Sequence, residues 1–402
     1  MPHSPRPRSL ATACARAPEV EPASSRPLVP PLDLSVVYCP SSLDHVDALY
    51  EGTATGPIYA REGHPNADQL ARKIAELEGA QKALVCSSGM AAITAALCSL
   101  LNQGDHLLMA AEVYGKTSVL VDRELARYGV TRDLFDAARP DDLAAMVTPS
   151  TRLILVETLS NPLLRVADLP AVARVAADSG VTLVVDNTFA PCICRPLELG
   201  AHLVVHSATK MIGGHSDLTL GVLAGSTALI TRAHAVAAAM GLTGNPFESW
   251  LALRGMATLP LRMERACTTA TALARRFERA PQIRKVWHPA LDSHPDAALA
   301  RALLEQGGSM LAVDLGDRAR ASAFMAGLPG IPFAPSLGDV QTTLSHPCTT
   351  SHRGQDQARL ERFGITPGVV RISVGLEDEH DLWAEFAQSL QALTALESTA
   401  GG

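Results

Sequence analysis

The chain contains five lysines, Lys73, Lys82, Lys116, Lys210 and Lys285, and one of them stands where an amine could do covalent chemistry. Lys210 follows the apolar run HLVVH through the polar turn Ser207-Ala208-Thr209 and precedes MIGGHSD, whose paired glycines let backbone approach a ligand closely. In an α/β protein, ligands bind at the carboxyl ends of the strands. A lysine held there and partly desolvated has a lowered pKa and can attack an aldehyde as a neutral amine. A plain surface lysine at a strand end fits the same local pattern. Lys73 on an amphipathic helix, with Lys82 and Lys285 just beyond helices, reads as solvated.

Two further features give Lys210 company. The strand TLVVDNT ends in Asp186, and a carboxylate so placed needs a partner, because burying an unpaired charge is costly. A protonated pyridine nitrogen is one such partner; capping of the next segment through Asn187 and Thr188 is the other reading. In CSSGMAAI a strand runs into a helix through Ser87, Ser88, Gly89 and Met90. Small residues at a helix N-terminus expose free N–H groups and the positive end of the dipole, which suits a phosphate, and Ser207 and Thr209 can add hydroxyl donors. Any strand-to-helix turn can look this way, so the weight lies in the combination. A phosphate cradle, a strand-end acid and a strand-end lysine together match pyridoxal 5′-phosphate (PLP), an aldehyde whose protonated ring withdraws electrons.

Competing chemistries lack their motifs. No G-x-G-x-x-G turn follows a strand and no P-loop is present, which argues against dinucleotide and nucleoside-triphosphate sites. Neither a G-x-S-x-G elbow nor an H-E-x-x-H helix occurs. The 402 residues carry 34 Lys plus Arg and a formal net charge of −7, so there is no basic field for nucleic acid. Eight cysteines, Cys14, Cys39, Cys86, Cys98, Cys192, Cys194, Cys267 and Cys348, are scattered through apolar surroundings and read as reduced thiols; the Cys192-Ile193-Cys194 pair lacks a second pair at zinc spacing, and no metal is expected. Residues 1–30 are rich in Pro, Ala, Ser and Arg, without the apolar core of a signal peptide, and are expected to be disordered. With no apolar run of about 18 residues, the expectation is a cytoplasmic protein without membrane contact.

The elements that must position these groups alternate along the chain. From about residue 67, helical periodicity and short β-branched runs take turns, the pattern of a parallel sheet covered by helices. ADQLARKIAELEGA is an amphipathic helix ended by Gly79, KALVCSS a strand, and GMAAITAALCSLL a second helix; HLLMA, TRLILVET, TLVVDNT and HLVVHSA are further strands. Around residue 245 long Ala/Arg-rich helices take over, followed by the separated strands SMLAVDL and VVRISVGL and a terminal helix. The division expected is an N-terminal arm over 1–57, a cofactor domain over 58–250 and a smaller α+β domain over 251–402.

The block VVDNTFAPCICRPLELGAHLVVHSATKMIGGHSD, with YAREGHP, SSGMAA, ETLSNPLLRVAD and RISVGLED, resembles the Cys/Met metabolism PLP-dependent enzymes, that is, the cystathionine γ-synthase, cystathionine γ-lyase and methionine γ-lyase group. The resemblance implies a fold-type I PLP transferase fold with a mostly parallel seven-stranded sheet, and a homotetramer built as a dimer of dimers. It assigns the Schiff base to Lys210, the pyridine nitrogen to Asp186, ring stacking to Tyr114 and the phosphate to Ser88, Gly89, Met90, Ser207 and Thr209. Tyr59 and Arg61 reach a neighbouring subunit's site in this family, with the Tyr assisting proton transfer or departure of the leaving group. Asn161, Ser336 and Arg371 look like substrate-binding residues, Arg371 as the clamp on the substrate carboxylate.

The implied reaction is γ-elimination on a sulfur-containing amino acid such as methionine, homocysteine or cystathionine, giving a 2-oxo acid, ammonia and a thiol. A γ-replacement synthase using an O-activated homoserine is the alternative, and a catalytically impaired PLP-binding protein a minor one. Three departures from the family pattern bear on this choice. Where the family reads R-x-x-N-P-T, this chain has Arg61-Glu62-Gly63-His64-Pro65-Asn66; Pro335 stands where cystathionine-handling relatives carry Glu; and Lys116 follows Tyr114-Gly115. Lys116 either contacts an anionic or polar distal group of the substrate or points outward and only varies the loop.

Overall fold

The computed structural model describes residues 9–16, 27–354, 360 and 363–400. Its larger sheet is built from β1 (Lys82–Cys86), β2 (His106–Ala110), β3 (Thr131–Phe135), β4 (Thr151–Glu157), β5 (Thr182–Asp186), β6 (Leu203–Ser207) and β7 (Gly221–Gly225). They lie in the order β1-β7-β6-β5-β4-β2-β3. All run parallel except β7, which is antiparallel to both its neighbours. The interior strands are near-continuous apolar runs because helices cover both faces; every residue of β2 and β7 is buried. Register brings Glu157 beside Asp186 and Asp186 beside Val205, so the carboxyl ends of β4, β5 and β6 form one edge.

The helix Pro65–Glu78 begins at the cap of His64, ends at left-handed Gly79 (φ 68°), and buries Leu70, Ile74 and Leu77. Each such side chain contributes roughly 1.5–3 kcal/mol of burial free energy. Lys73 on the same helix is 2% exposed. The expectation of a solvated lysine is therefore corrected: its ammonium donates to the carbonyl of Ala13 and pairs with Glu76. That carbonyl belongs to a short helix, Leu10–Ala15, capped by Ser9, with Ala13 and Cys14 buried. Disorder over 1–30 thus fails at this segment, whose small apolar face found a partner that composition does not announce; residues 1–8 and 17–26 lie outside the described residues.

A second, antiparallel sheet follows, with β8 (Lys285–Trp287), β9 (Met310–Asp314), β10 (Thr343–Ser345) and β11 (Val369–Ser373) in the order β10-β11-β9-β8. Its core centres on Phe277, Phe324 and Phe386, with ring centroids of Phe277 and Phe386 5.1 Å apart and edge to face. The helix Leu259–Glu278 serves both cores: Leu259, Met263 and Cys267 pack with the larger sheet, Ala270, Leu273 and Phe277 with the smaller. The sequence pattern misses β3 and β7 in the larger sheet and β8 and β10 in the smaller. Strand β7 is bounded by glycines, poor strand formers, but a Cβ on Gly221 would lie 2.0 Å from the Ser88 carbonyl oxygen, so close approach decides the residue. Among the described residues no helix is long and apolar enough to cross a membrane.

Candidate active site

Alternation along β4, β5 and β6 sends Glu157, Asp186 and Ser207 to one face of the strand-end edge, where they line a cavity of about 590 Å³. Lys210, Ser88, Gly89, Met90, Thr209, Tyr114, Lys116, Asn161 and Arg371 line it too. Asp186 Oδ1 accepts from the Thr188 amide (3.0 Å) and hydroxyl (2.6 Å), and Thr188 Oγ1 accepts in turn from the Ser207 amide (2.8 Å). The local turn is formed and leaves one oxygen over: Oδ1 braces the turn, and Oδ2 takes no hydrogen bond from the described residues.

Glu157 is a site residue that the sequence reading did not single out. Its Oε1 accepts from the Tyr114 amide (2.6 Å), while Oε2 is buried without a partner. Burial, with the Asp186 charge beside it, pushes the Glu157 carboxyl well above the usual range. Burial raises Asp186 as well, offset in part by the two Thr188 donors. Neighbouring carboxyls compete against ionising together, and the stronger upward push on Glu157 favours Asp186 as the ionised member. The signal was in the chain: TRLILVET, like TLVVDNT, closes an apolar strand with an acid.

Lys210 turns back immediately after β6, its amide donating to the Ser207 carbonyl at 3.0 Å, and its Nζ lies 3.1 Å from Ser336 Oγ. Burial, then the Arg371 charge, lowers its pKa. Arg371, on β11, is 3% exposed. Its two terminal nitrogens donate to Asn161 Oδ1 (2.7 Å) and the Ser336 carbonyl (2.9 Å), Nε has no partner, and burial pushes its pKa down to about 10. Ser336 thus touches both cations.

At the opposite wall, Ser88 caps the helix Gly89–Leu100 by accepting from the Ala91 amide at 3.0 Å. A Cβ on Gly89 would meet Ser207 Cβ at 2.8 Å, so the chain has been kept thin there. Ser207 Oγ is without a protein partner among the described residues, whereas Thr209 Oγ1 already donates to the Leu220 carbonyl and accepts from its amide. Near the entrance stand the exposed Tyr114 and Lys116, with Pro335, Thr349, Thr350 and Ser351 across from them.

Tyr59 and Arg61 do not line this cavity within one chain. Arg61 instead donates to Glu62 (2.8 Å) and the Ala238 carbonyl (2.9 Å), its guanidinium 5.6 Å from the Tyr59 ring centroid. The unusual residues after it have structural work. His64 Nδ1 caps the next helix and its Nε2 meets the Gly244 carbonyl at 2.9 Å; Asn66 clasps the N-terminal arm through the Asp33 amide (2.9 Å) and Pro31 carbonyl (2.8 Å).

The residues present fit pyridoxal phosphate. A carboxylate oxygen free of hydrogen bonds from the described residues could answer a ring nitrogen, an amine of lowered pKa lines the same cavity, and an open hydroxyl stands beside a helix N-terminus without room for a Cβ. Comparison with known proteins agrees. Residues 11–391 match the family of Cys/Met metabolism PLP-dependent enzymes. The chain is 39% identical to the L-methionine gamma-lyase of Pseudomonas putida, across 91% of this chain and 93% of that protein. It is 38% identical to the O-succinylhomoserine sulfhydrylase of Pseudomonas aeruginosa, over 86% of each. The cystathionine gamma synthase of Xanthomonas oryzae pv. oryzae, solved in complex with cystathionine, has a TM-score of 0.91 at 34% identity, covering 97% of this chain and 99% of that one. The sheet and its helices are thus those of a fold-type I enzyme, and the chain belongs to the Cys/Met metabolism PLP-dependent family of transsulfuration lyases and transferases.

Proposed function

We propose that this enzyme eliminates the γ substituent of a sulfur-containing amino acid such as methionine, homocysteine or cystathionine, releasing a 2-oxo acid, ammonia and a thiol. The observation that supports this reading is the convergence of Lys210, Asp186 and Arg371 on one cavity with an apolar Pro335 wall. Pyridoxal phosphate, when bound, supplies an electron-withdrawing ring that stabilises the carbanion left by the α-proton.

The remaining tasks fall to the chain. Lys210, its pKa lowered by burial and by Arg371, is neutral over a wider pH range than an ordinary lysine and can take and return a proton as general base and acid; the Ser336 hydroxyl holds it when it is free. Asp186 keeps the ring nitrogen protonated. Arg371, its plane fixed by Asn161 and the Ser336 carbonyl, receives the substrate carboxylate. Tyr114 covers the ring, and Ser88, Gly89, Met90, Ser207 and Thr209 hold the phosphate. A second copy of the chain brings Tyr59 and Arg61 to the site, in a dimer of dimers working in the cytoplasm. Domains 58–250 and 251–402 then supply the cofactor wall and the carboxylate clamp.

One observation favours γ-replacement as a second reading. Lys116 lines the cavity with no ion pair or hydrogen bond from its ammonium among the described residues, and so suits a γ substituent that ends in an anion, such as a succinyl ester. A panel of methionine, homocysteine, cystathionine and O-acyl-homoserines, assayed for 2-oxo acid and ammonia, separates the two. Oxo acid from a lone sulfur amino acid is expected; product only after a thiol is added would replace elimination by replacement.

A further inference from the structure

Behind the strand ends that carry Glu157, Asp186 and Ser207 lies a second set of residues, one step along each chain. The same alternation that turns the first three into the cavity turns Thr158, Asn187 and His206 to the other face, and none of these three lines the cavity. They are joined to one another. Thr158 Oγ1 donates to Asn187 Oδ1 at 2.7 Å. Asn187 Nδ2 donates to the Cys194 carbonyl at 3.0 Å and reaches Glu78 Oε1 at 3.4 Å. His206 Nε2 meets the same Glu78 oxygen at 2.7 Å. Glu78 and His206 are each 1% exposed, and Asn187 is fully buried.

A carboxylate so deep is expensive unless charge or hydrogen bonds answer it. Here one oxygen gathers two donors from two strands, while Glu78 Oε2 and His206 Nδ1 find no partner. An apolar residue at 78 would fill the same space between helix and sheet without that cost, so stability alone does not account for the acid. What the acid does is tie strand ends β5 and β6 to the end of a helix, with β4 tied in through Thr158 and Asn187. Those ends set where Asp186 and Ser207 stand.

We propose that Glu78, which lines no part of the cavity, is a positioning residue for the cofactor: through His206, Asn187 and Thr158 it fixes the spacing between the ring-nitrogen carboxylate and the phosphate hydroxyl. Its one bonded oxygen also holds the His206 ring on the far side of the edge from Asp186. The inference rests on the reading that Asp186 and Ser207 face the cofactor.

The experiment titrates apoprotein with pyridoxal phosphate and measures the dissociation constant and, separately, the melting temperature of the apoprotein. Glu78→Ala is expected to weaken binding about tenfold or more, as loss of a buried hydrogen-bonded anchor would. Glu78→Gln, whose amide oxygen still accepts from His206, is expected to stay within about threefold. Thr158→Val keeps the shape and removes a single link, weakening binding about threefold, and it decides the question should Glu78→Ala fail to fold. Natural affinity in Glu78→Ala and Thr158→Val, whatever their melting temperatures, would show a merely structural role and overturn the proposal. Asp186→Asn serves as the control: if it binds the cofactor as tightly as the natural chain, the site reading beneath the inference is what falls.

Discussion

On the floor of the cavity, Glu157, Asp186 and Ser207 are neighbouring strand ends held in register by the sheet; at the entrance, Lys116, Pro335 and Thr349 come from separate segments with no ladder between them. On the floor the acids are held by Thr188 and the Tyr114 amide, and the cations by Asn161 and Ser336. The Lys116 ammonium has no such partner among the described residues. A sheet edge can place a carboxylate and an amine to within a bond length because changing one strand disturbs all its neighbours. Loops can exchange a residue without that cost. In the proposed reaction, the chemistry is accordingly assigned to the floor and substrate choice to the rim.

Substitutions should sort the same way. Lys210→Ala is expected to remove the bound cofactor's visible absorption near about 420 nm and to lower kcat about a thousandfold or more; a protein that kept a reducible covalent link would break the floor assignment outright. Next comes the carboxyl pair. Asp186→Asn should cost about a hundredfold in kcat, while Glu157→Gln, which imitates the protonated form that burial favours there, should cost less than about threefold. Equal losses would mean that the proton has been placed on the wrong residue.

Arg371→Leu is expected to raise KM for the amino acid about ten- to a hundredfold, the loss of a charged hydrogen-bonded clamp. It also carries a pH signature. The Arg371 cation disfavours a charged Lys210, so its removal raises the lysine pKa, and the pH at which apoprotein captures a small aldehyde should move upward toward that of an ordinary lysine. A downward movement would contradict the stated cause of the shift. The smallest effect belongs to the rim: Lys116→Met should leave cofactor affinity within about twofold, since an exposed cation contributes little to a buried site, while lowering kcat/KM for an O-succinyl relative to an O-acetyl substrate.

Much of the floor was legible because short β-branched apolar runs announce where strands stop, and Asp186 and Lys210 stand at or just past such stops. Glu157 was equally visible, closing TRLILVE as Asp186 closes TLVVD. What spacing could not disclose was company from far along the chain. Arg371 meets Asn161 and Ser336, 210 and 35 residues away, and no local pattern encodes those meetings. Lys73 was misread for the same reason: the polar face of its helix looks solvated until Leu10–Ala15 is laid upon it. Strand β7 escaped because its glycines answer to crowding, Gly221 at Ser88 and Gly225 at Leu203 and His202, rather than to strand preference.

The helix Leu259–Glu278 gives the molecule a thermodynamic property as well as a shape. Because one unbroken helix contributes its first half to the core of the larger sheet and its second to that of the smaller, neither core can lose its packing without fraying the element that completes the other. Melting of the two halves is thereby yoked. Arg371 and Lys210, the clamp and the cofactor lysine of the proposed site, are thereby coupled although they come from different sheets.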